Sequence, residues 1–363
     1  MKKIFLFLFL LAPFSVLAQE TQPEENFKAR VIEVIEEREL IDPSGVSIIQ
    51  QNLRLKALAG TFVDQEIVFQ GIDSFQVLSS RAYVVDDKVI MSYSVNEAGD
   101  DNFFILDYDR SNKILLLGII FILSVLIIGR WKGLRSLLAL VISFLVILKF
   151  IIPQILAGNN PVLISVIGGI VILFFSVYLT QGFTSKAHIA NLSLTLSLML
   201  AAALSFFFTK ATQLTGYAGE ETIFLLDMTQ GSLNLQGLLL AGILIGTLGV
   251  LDDVIISQVS TVEQIKRANP DLSKKQVYKM SLKVGVDHIT SMINTLFFAY
   301  AGAALPLLIL FTQSDVLGLN FGQAINNEMI ATEIVRALLG SISIILAIPI
   351  ANKLASHFLK VKN

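Results

Sequence analysis

The 363-residue sequence has no cysteine. Disulfides are therefore excluded along the whole chain, as is a lipid anchor on a terminal cysteine. Charge is scarce as well. Asp, Glu, Lys and Arg make up 15% of the residues, against about a quarter in an ordinary soluble domain. The net charge of −2 offers no broad basic surface, so nucleic acid is not an expected partner. Between residues 27 and 110 there is no histidine cluster, no Gly-rich phosphate loop and no nucleophile–base pair. Nothing in the chain calls for a metal or a cofactor.

What the sequence has instead is apolar side chains, 54% of the total. Most charges lie before Lys113 or in a few short connections. The shift at Lys113 divides the chain into a soluble piece and a membrane piece. The first residues read as an export signal. Lys2 and Lys3 precede a short apolar run at 4–11, and Val16-Leu17-Ala18 suits cleavage after Ala18. The run is shorter than the ~20 residues that a membrane span needs. Residues 1–18 are thus expected to be a signal peptide and 19–26 a loose polar leader.

From 27 to 110 the pattern is that of strands. Segments 29–35, 46–58, 65–71, 82–95 and 103–108 are rich in Val, Ile, Phe and Tyr, and several alternate apolar with polar residues. Asp42-Pro43-Ser44-Gly45, Ala59-Gly60, Asp86-Asp87 and residues 97–100 punctuate them. Five short strands predict a small β domain, barrel- or sandwich-like. Without catalytic residues, it is expected to be structural or to recognise an extracytoplasmic protein partner.

Seven apolar segments follow, at 114–128, 134–156, 162–180, 189–208, 235–259, 286–311 and 330–354. Lipid leaves free backbone groups without partners, so spans must be helical. The expectation is an α-helical polytopic membrane protein of about seven spans, covering 114–358. One set of connections carries Arg130, Lys132, Arg135, Lys186, then Lys266, Arg267, Lys274, Lys275, Lys279 and Lys283, and the tail adds Lys360 and Lys362. The opposite set carries Lys210, with Lys149 near a boundary. The positive-inside rule puts the richer set in the cytoplasm and the β domain outside a bacterial cytoplasmic membrane, in accord with the export signal. Within the longest inner connection, Ser273 and Gln276 form a capping-box pattern. It begins an amphipathic helix at about 273–284, with Val277, Met280, Leu282 and Val284 opposite four lysines. Such a helix suits an anionic lipid surface, and the bilayer itself is the first expected partner.

A charge near the bilayer centre costs ~2.5–3.5 kcal/mol on insertion scales, so intramembrane polar residues are the candidate site. Gly242, Gly246, Gly249 and Asp253 recur at steps of four, three and four, continued by Ser257. They form one helical stripe, with the glycines as candidate helix-packing positions and Asp253 facing the bundle interior. Asp252 falls nearer the stripe of Ile245, Leu248 and Ile256 and is the secondary candidate. In the sixth segment Asp287, Ser291 and Asn294 share a face. Asp287 can equally be a helix-start residue favoured by the dipole, and Asn294 an interhelical hydrogen-bonding group. His288 is a further titratable candidate. Glu333 and Arg336, three apart, permit an ion pair on one helix face.

Several runs carry a family resemblance. They are Gly246-Thr-Leu-Gly-Val-Leu-Asp-Asp-Val254, Asp287-His-Ile-Thr-Ser-Met-Ile-Asn-Thr-Leu296, Ala299-Tyr-Ala-Gly302, Leu305-Pro306, Asn326-Asn327, Glu333-Ile-Val-Arg336, Gly340-Ser341 and Pro349. Together, over about 106–349, they resemble the YibE/YibF-like family of multispan bacterial membrane proteins. The family pattern has one Asp before the Val, matching Asp253, so Asp252 is a departure. Where the family has Gly-Thr before the methionine of the sixth segment, this chain has Thr290-Ser291. The fifth segment, with Glu263 and the basic helix after it, also resembles the relay helix of resistance–nodulation–division exporters. Asn294-Thr295 is similar to a pair in the SecD/SecF translocation subunits. In those proteins such residues couple proton entry to movement of an exported domain. This chain has two more spans before that helix, a much smaller exported domain and no second half.

Three functions stay open on the sequence. One is a permease-like or transport-accessory protein, proton- or ion-coupled through Asp253, Asp287 and Asn294. The second is an intramembrane aspartyl protease, although the Gly-x-Gly-Asp sequence is missing and Gly285-Val-Asp287 stands in its place. The third is a receptor or assembly scaffold that works through the β domain.

Overall fold

The computed structural model describes residues 25–41, 47–72, 82–95, 101–217, 219–312 and 320–360. The expected signal peptide, most of the expected leader and the turn signals at 42–45 and 97–100 lie outside the described residues. The chain divides into two compact units, one ending at Ser124 and one running from Val125.

The first unit is built on one five-stranded antiparallel sheet. Its strands are β1 (Glu25–Ile41), β2 (Ser47–Ala57), β3 (Glu66–Gln70), β4 (Lys88–Val95) and β5 (Asp101–Tyr108), in spatial order β3-β2-β1-β4-β5. The expected number of strands is present, but among the described residues they form one open sheet rather than two facing ones. The central strand explains this. β1 is 17 residues long, pairs with β4 through Glu25–Arg30 and with β2 from Ala29 onward, and shifts register at Val31/Glu33 and Val34/Glu36. Such bulges bend a strand, so one strand can serve two neighbours along its length. Glu25 and Asn26, expected in the leader, are already in β1.

Alternation puts Phe27, Ala29, Val31, Leu53, Leu55, Val89 and Met91 on the buried face. Phe62 lies 4.8 Å from Tyr93 and 5.3 Å from Phe103, ring centre to ring centre, and closes one end of that core. Like Ser92 at 6% exposed, Gln51 at 3% is a buried polar group here. Its Nε2 donates to Tyr83 O at 3.0 Å, and its Oε1 accepts from Tyr83 N at 2.7 Å. Lys28 and Asp109 pair at 2.9 Å.

The helical elements are α1 (Ser111–Val146), a π-helical turn (Ile147–Ile151), α2 (Ile152–Leu156), α3 (Pro161–Gln181), α4 (Ser185–Ala211), α5 (Glu220–Met228), α6 (Leu235–Ala268), α7 (Lys274–Ala303), α8 (Leu305–Thr312), α9 (Phe321–Ile325) and α10 (Glu328–Phe358). Among the described residues five stretches are long and apolar enough to cross a membrane: Ser111–Leu156, Pro161–Gln181, Ser185–Ala211, Leu235–Ala268 and Glu328–Phe358. The sequence suggested seven, and the difference has two sources.

The first two expected segments lie on one 46-residue helical stretch. That stretch breaks at Arg130, where φ is 48° and ψ −129°. A Cβ placed on Gly133 would collide with the carbonyl oxygen of Val125. Residues eight apart on a straight helix are about 12 Å apart, so the chain bends sharply back at Arg130, with Gly133 allowing the close approach. The π turn that follows sits just before Pro153, whose ring clashes with the carbonyl four residues earlier and widens the helix locally.

The second source is the sixth segment, which is divided between α7 and α8. The expected surface helix at 273–284 and the start of that segment form the single 30-residue α7. After Gly285, α7 carries Asp287, His288 and Asn294 and ends at Ala303, so that half is less apolar than the five stretches above. Its start is as the sequence indicated, with the Ser273 and Gln276 capping box present in both directions.

In the helical unit α4, α6 and α10 pack against one another, and α3 packs on α4 and α6. Gly169 touches Leu198 and Leu248, tying α3, α4 and α6 at mid-length. Gly285 of α7 is packed closely between two helices. A Cβ there would sit 2.7 Å from Ile348 Cγ2 of α10 and 3.0 Å from Gln258 Oε1 of α6.

Candidate functional site

α3 and α6 run parallel. The offset of 76 residues that joins Ser176 to Asp252 also joins Pro161 to Gly237. Asn160 caps α3 and Asn234 caps α6, each side chain accepting from backbone N–H groups of the first turn. This register brings a serine of α3 against the paired carboxyls of α6. Asp252 Oδ2 accepts from Ser176 Oγ at 2.7 Å. Asp252 Oδ1 is buried and has no hydrogen-bond partner among the described residues.

Both carboxyls line one cavity of about 590 Å³, within the usual size range of small-molecule sites. Ser136 and Ser143 of α1, Ser176 and Thr180 of α3, and Ser257 of α6 contribute hydroxyls to its wall. Leu140, Phe144, Ile172, Leu173, Ile245, Leu248 and Ile256 make the rest of the wall mainly apolar. The arrangement is an apolar chamber with two carboxyls and a ring of hydroxyls. It can bind a cation or a proton at one place and surround it with neutral hydrogen-bonding groups. Among the described residues no group of three His, Asp or Glu side chains is placed to hold a metal ion.

The structure brings together Asp252 and Asp253, and their order of burial differs from the sequence expectation. Asp252 is the more buried and the bonded one; Asp253 is exposed, though it borders the same cavity. The cavity spans the boundary between the two stripes of α6, since Ile245, Leu248 and Ile256 line it beside Gly249 and Ser257. The glycine stripe is not a packing face. A Cβ on Gly242 or Gly249 would meet nothing, and Gly246 is approached only by the Tyr300 hydroxyl at 3.2 Å. The packed faces of α6 carry Leu240, Ile243, Leu244, Leu251, Val254 and Ile255 instead.

Asp287 and Asn294 do not line the cavity. Both are exposed, as is Ser291 on the same face of α7. His288 is half-buried, with Nε2 buried and unpartnered among the described residues. Glu333 and Arg336 form the pair their spacing allowed, at 3.1 Å. Glu333 borders a separate, mostly apolar pocket of about 160 Å³ with Tyr300 and Phe297 of α7.

Sequence reasoning passed over Ser176, Gln258, Tyr300 and Asn352. Ser176 carried a faint signal, a serine four residues before Thr180 in an otherwise apolar segment. Asn352 is a lone amide in the last apolar run, and it is fully buried, with neither side-chain atom hydrogen-bonded among the described residues. An amide left in that state costs about 1–3 kcal/mol.

The family model described as YibE/F-like protein matches residues 117–361. The chain belongs to that family. No curated protein and no solved structure matches it.

Proposed function

We propose that this member of the YibE/F-like family is a permease-like or transport-accessory membrane protein, coupled to protons or ions through the carboxyls of α6. The observation that carries the reading is the cavity between α1, α3 and α6, with Asp252 held at one oxygen by Ser176 and unpartnered at the other. Ionisable groups inside membrane segments are costly and commonly mark ion and proton paths. In this reading Asp252 is the carrier, Asp253 the neighbouring group nearer the opening, and Ser176 the positioning residue that sets the orientation of the Asp252 carboxyl.

The fold-back at Arg130 supports reading the first helical stretch as two spans, and α7 with α8 as another, for a total of seven. Basic residues at Arg130, Lys186, Lys266 and Lys275 support a cytoplasmic location for those ends, with the sheet unit outside the cytoplasmic membrane after an export signal. Labelling with a membrane-impermeant thiol reagent tests this directly in a chain with no native cysteine. Thr61→Cys should be modified from outside and Lys275→Cys spared; the opposite pattern rejects the orientation.

The protease reading would require two aspartates facing each other across one site. Asp287 is absent from the lining of the cavity that holds Asp252 and Asp253, so the geometry favours transport. The experiment is proton or cation flux into liposomes containing the full chain, compared with Asp252→Asn. Flux that depends on Asp252 supports the reading, and flux unaffected by its loss rejects it.

A further inference from the structure

Serine and threonine in a helix can satisfy themselves by donating to the carbonyl four residues back. Most in this bundle do so. Ser193 donates to Ile189 O, Thr247 to Ile243 O and Ser343 to Leu339 O, all in the buried core. Four hydroxyls whose oxygens are themselves fully buried do not: Ser165 of α3, Ser197 and Thr209 of α4, and Thr332 of α10. They are at most 2% exposed and have no partner among the described residues. Two buried amides share this state, Gln258 at Oε1 and Asn352 at both side-chain atoms, 1% and 0% exposed.

These six groups fall in order along α4. At one end Glu328, the first residue of α10, accepts from Thr215 N and Gly216 N just beyond α4, which sets Thr209 and Thr332 near the same level. At mid-length Gly169 touches Leu198, so Ser165, one turn earlier on α3, lies beside the turn of α4 that follows Ser197. At the other end Lys186 of α4 pairs with Glu263 of α6 at 3.6 Å, and Lys266 donates to Leu359 O at 2.8 Å. Gly285 touches both Gln258 and Ile348, so Asn352 lies about one turn beyond Gln258. On α4 itself Ser193, Ser197, Ala201, Ser205 and Thr209 recur at steps of four, all buried. The row from Thr209 to the level of Gln258 is about 27 Å long at 1.5 Å per residue, close to the ~30 Å of a hydrocarbon core.

Small residues alone would account for close helix packing. They do not account for hydroxyls that forgo the bond available on their own helix, nor for two buried amides with atoms that no described residue bonds. We propose that the row along α4 is a hydrophilic path between α3, α4, α6 and α10 that takes water and other small uncharged molecules able both to donate and to accept hydrogen bonds. The lining fits that class. It is neutral, the hydroxyls can act either way, Asn352 Nδ2 donates, and the amide oxygens accept. The path is separate from the Asp252 cavity, and the proposal stands whether or not Asp252 carries a proton.

The test uses the full chain in membranes and a small uncharged probe, 2-hydroxyethyl methanethiosulfonate. Ser197→Cys, Thr209→Cys and Asn352→Cys are compared with Leu198→Cys and Leu244→Cys, whose parent residues are as deeply buried at 1% exposure. Thiolate forms only where water reaches, so the three polar positions should react about tenfold or more faster than the two leucine positions. Equal rates at all five overturn the proposal and leave the row as packing. A second measurement does not depend on variants: osmotic shrinkage of liposomes containing the unaltered chain should be faster than that of protein-free liposomes, and an equal rate rejects the path.

Discussion

Gln51 in the sheet unit and Asn352 in the helical unit are both buried amides, 3% and 0% exposed. Gln51 is bonded twice to the backbone of Tyr83, while Asn352 has no partner among the described residues. The contrast extends to the rest of each unit. Among the described residues, unpartnered buried side-chain atoms in the first unit are confined to Arg30 Nε and Gln50 Oε1, and the others lie in the helices. The physical reason is where spare backbone groups exist. A sheet leaves N–H and C=O groups free at its edges and in the segments beside it, and Tyr83 lies in such a segment. A helix uses its own backbone groups internally. A polar side chain in a helical core must therefore find another side chain, bend back on its own helix, or bind something else. In the sheet unit the buried amide Gln51 is met by backbone, and in the helical unit several buried polar groups have no partner among the described residues.

The largest expected effect probes the packing side of this contrast. Gly285→Leu forces a side chain against Ile348 and Gln258 and should cost about 1–3 kcal/mol or more, read as a lower melting temperature of the helical signal. Gly249→Ala, facing open space, should leave that temperature nearly unchanged. Equal losses would mean that the glycine stripe packs after all. The next effect sharpens the comparison itself. Gln51→Leu strands the N–H and C=O of Tyr83 and should cost about 1–3 kcal/mol, visible as faster amide exchange around β2 and Tyr83. With water meeting the amide, as proposed for the row along α4, Asn352→Leu removes no protein partner and should change stability by less than about 1 kcal/mol. A large loss at Asn352 would show that its amide is bonded within the bundle.

The smallest effect is a pH dependence in the first unit. The Ser111 hydroxyl, the Lys28 ammonium and the Ser111 N–H hold the Asp109 carboxyl down at about 2, from an ordinary value of 3.8. A carboxyl lowered by folding stabilises above its unfolded value and loses that contribution as pH falls through the folded one. The unaltered chain should resist denaturant better than Asp109→Asn at pH 6, with the gap closing between about pH 4 and 2. A gap that stays constant over that window would separate Asp109 from the stability of the sheet.

Much of the architecture was legible because it follows from local rules. Alternation located the five strands, apolar length located the helices, and Ser273 with Gln276 located the start of α7. What was not legible depends on contacts. The break at Arg130 rests on Gly133 meeting Val125, which no periodicity records. The span count was blurred because Asp287, His288 and Asn294 interrupt the apolar residues after Gly285, on the same continuous helix as Lys274, Lys275, Lys279 and Lys283. At the site, the stripe of Gly242, Gly246, Gly249 and Asp253 was a sound reading of helix geometry, but small residues mark a surface that can be approached, not one that is. Asp252 gained its place from Ser176 on another helix, and Asn352 from neighbours that leave it no partner. Both are tertiary facts.

The central claim is that the Asp252 carboxyl is a working group rather than a tolerated one. It is tested most directly by acidification of liposomes containing the full chain under an imposed proton gradient, with Asp252→Asn compared at equal protein incorporation. Asn keeps the shape of the side chain and its bond with Ser176 while removing the titrating group. The account predicts that the variant inserts and folds as the unaltered chain does, yet loses at least about tenfold of the proton flux, a change of roughly 1.4 kcal/mol in barrier. Equal flux from the two chains would contradict it.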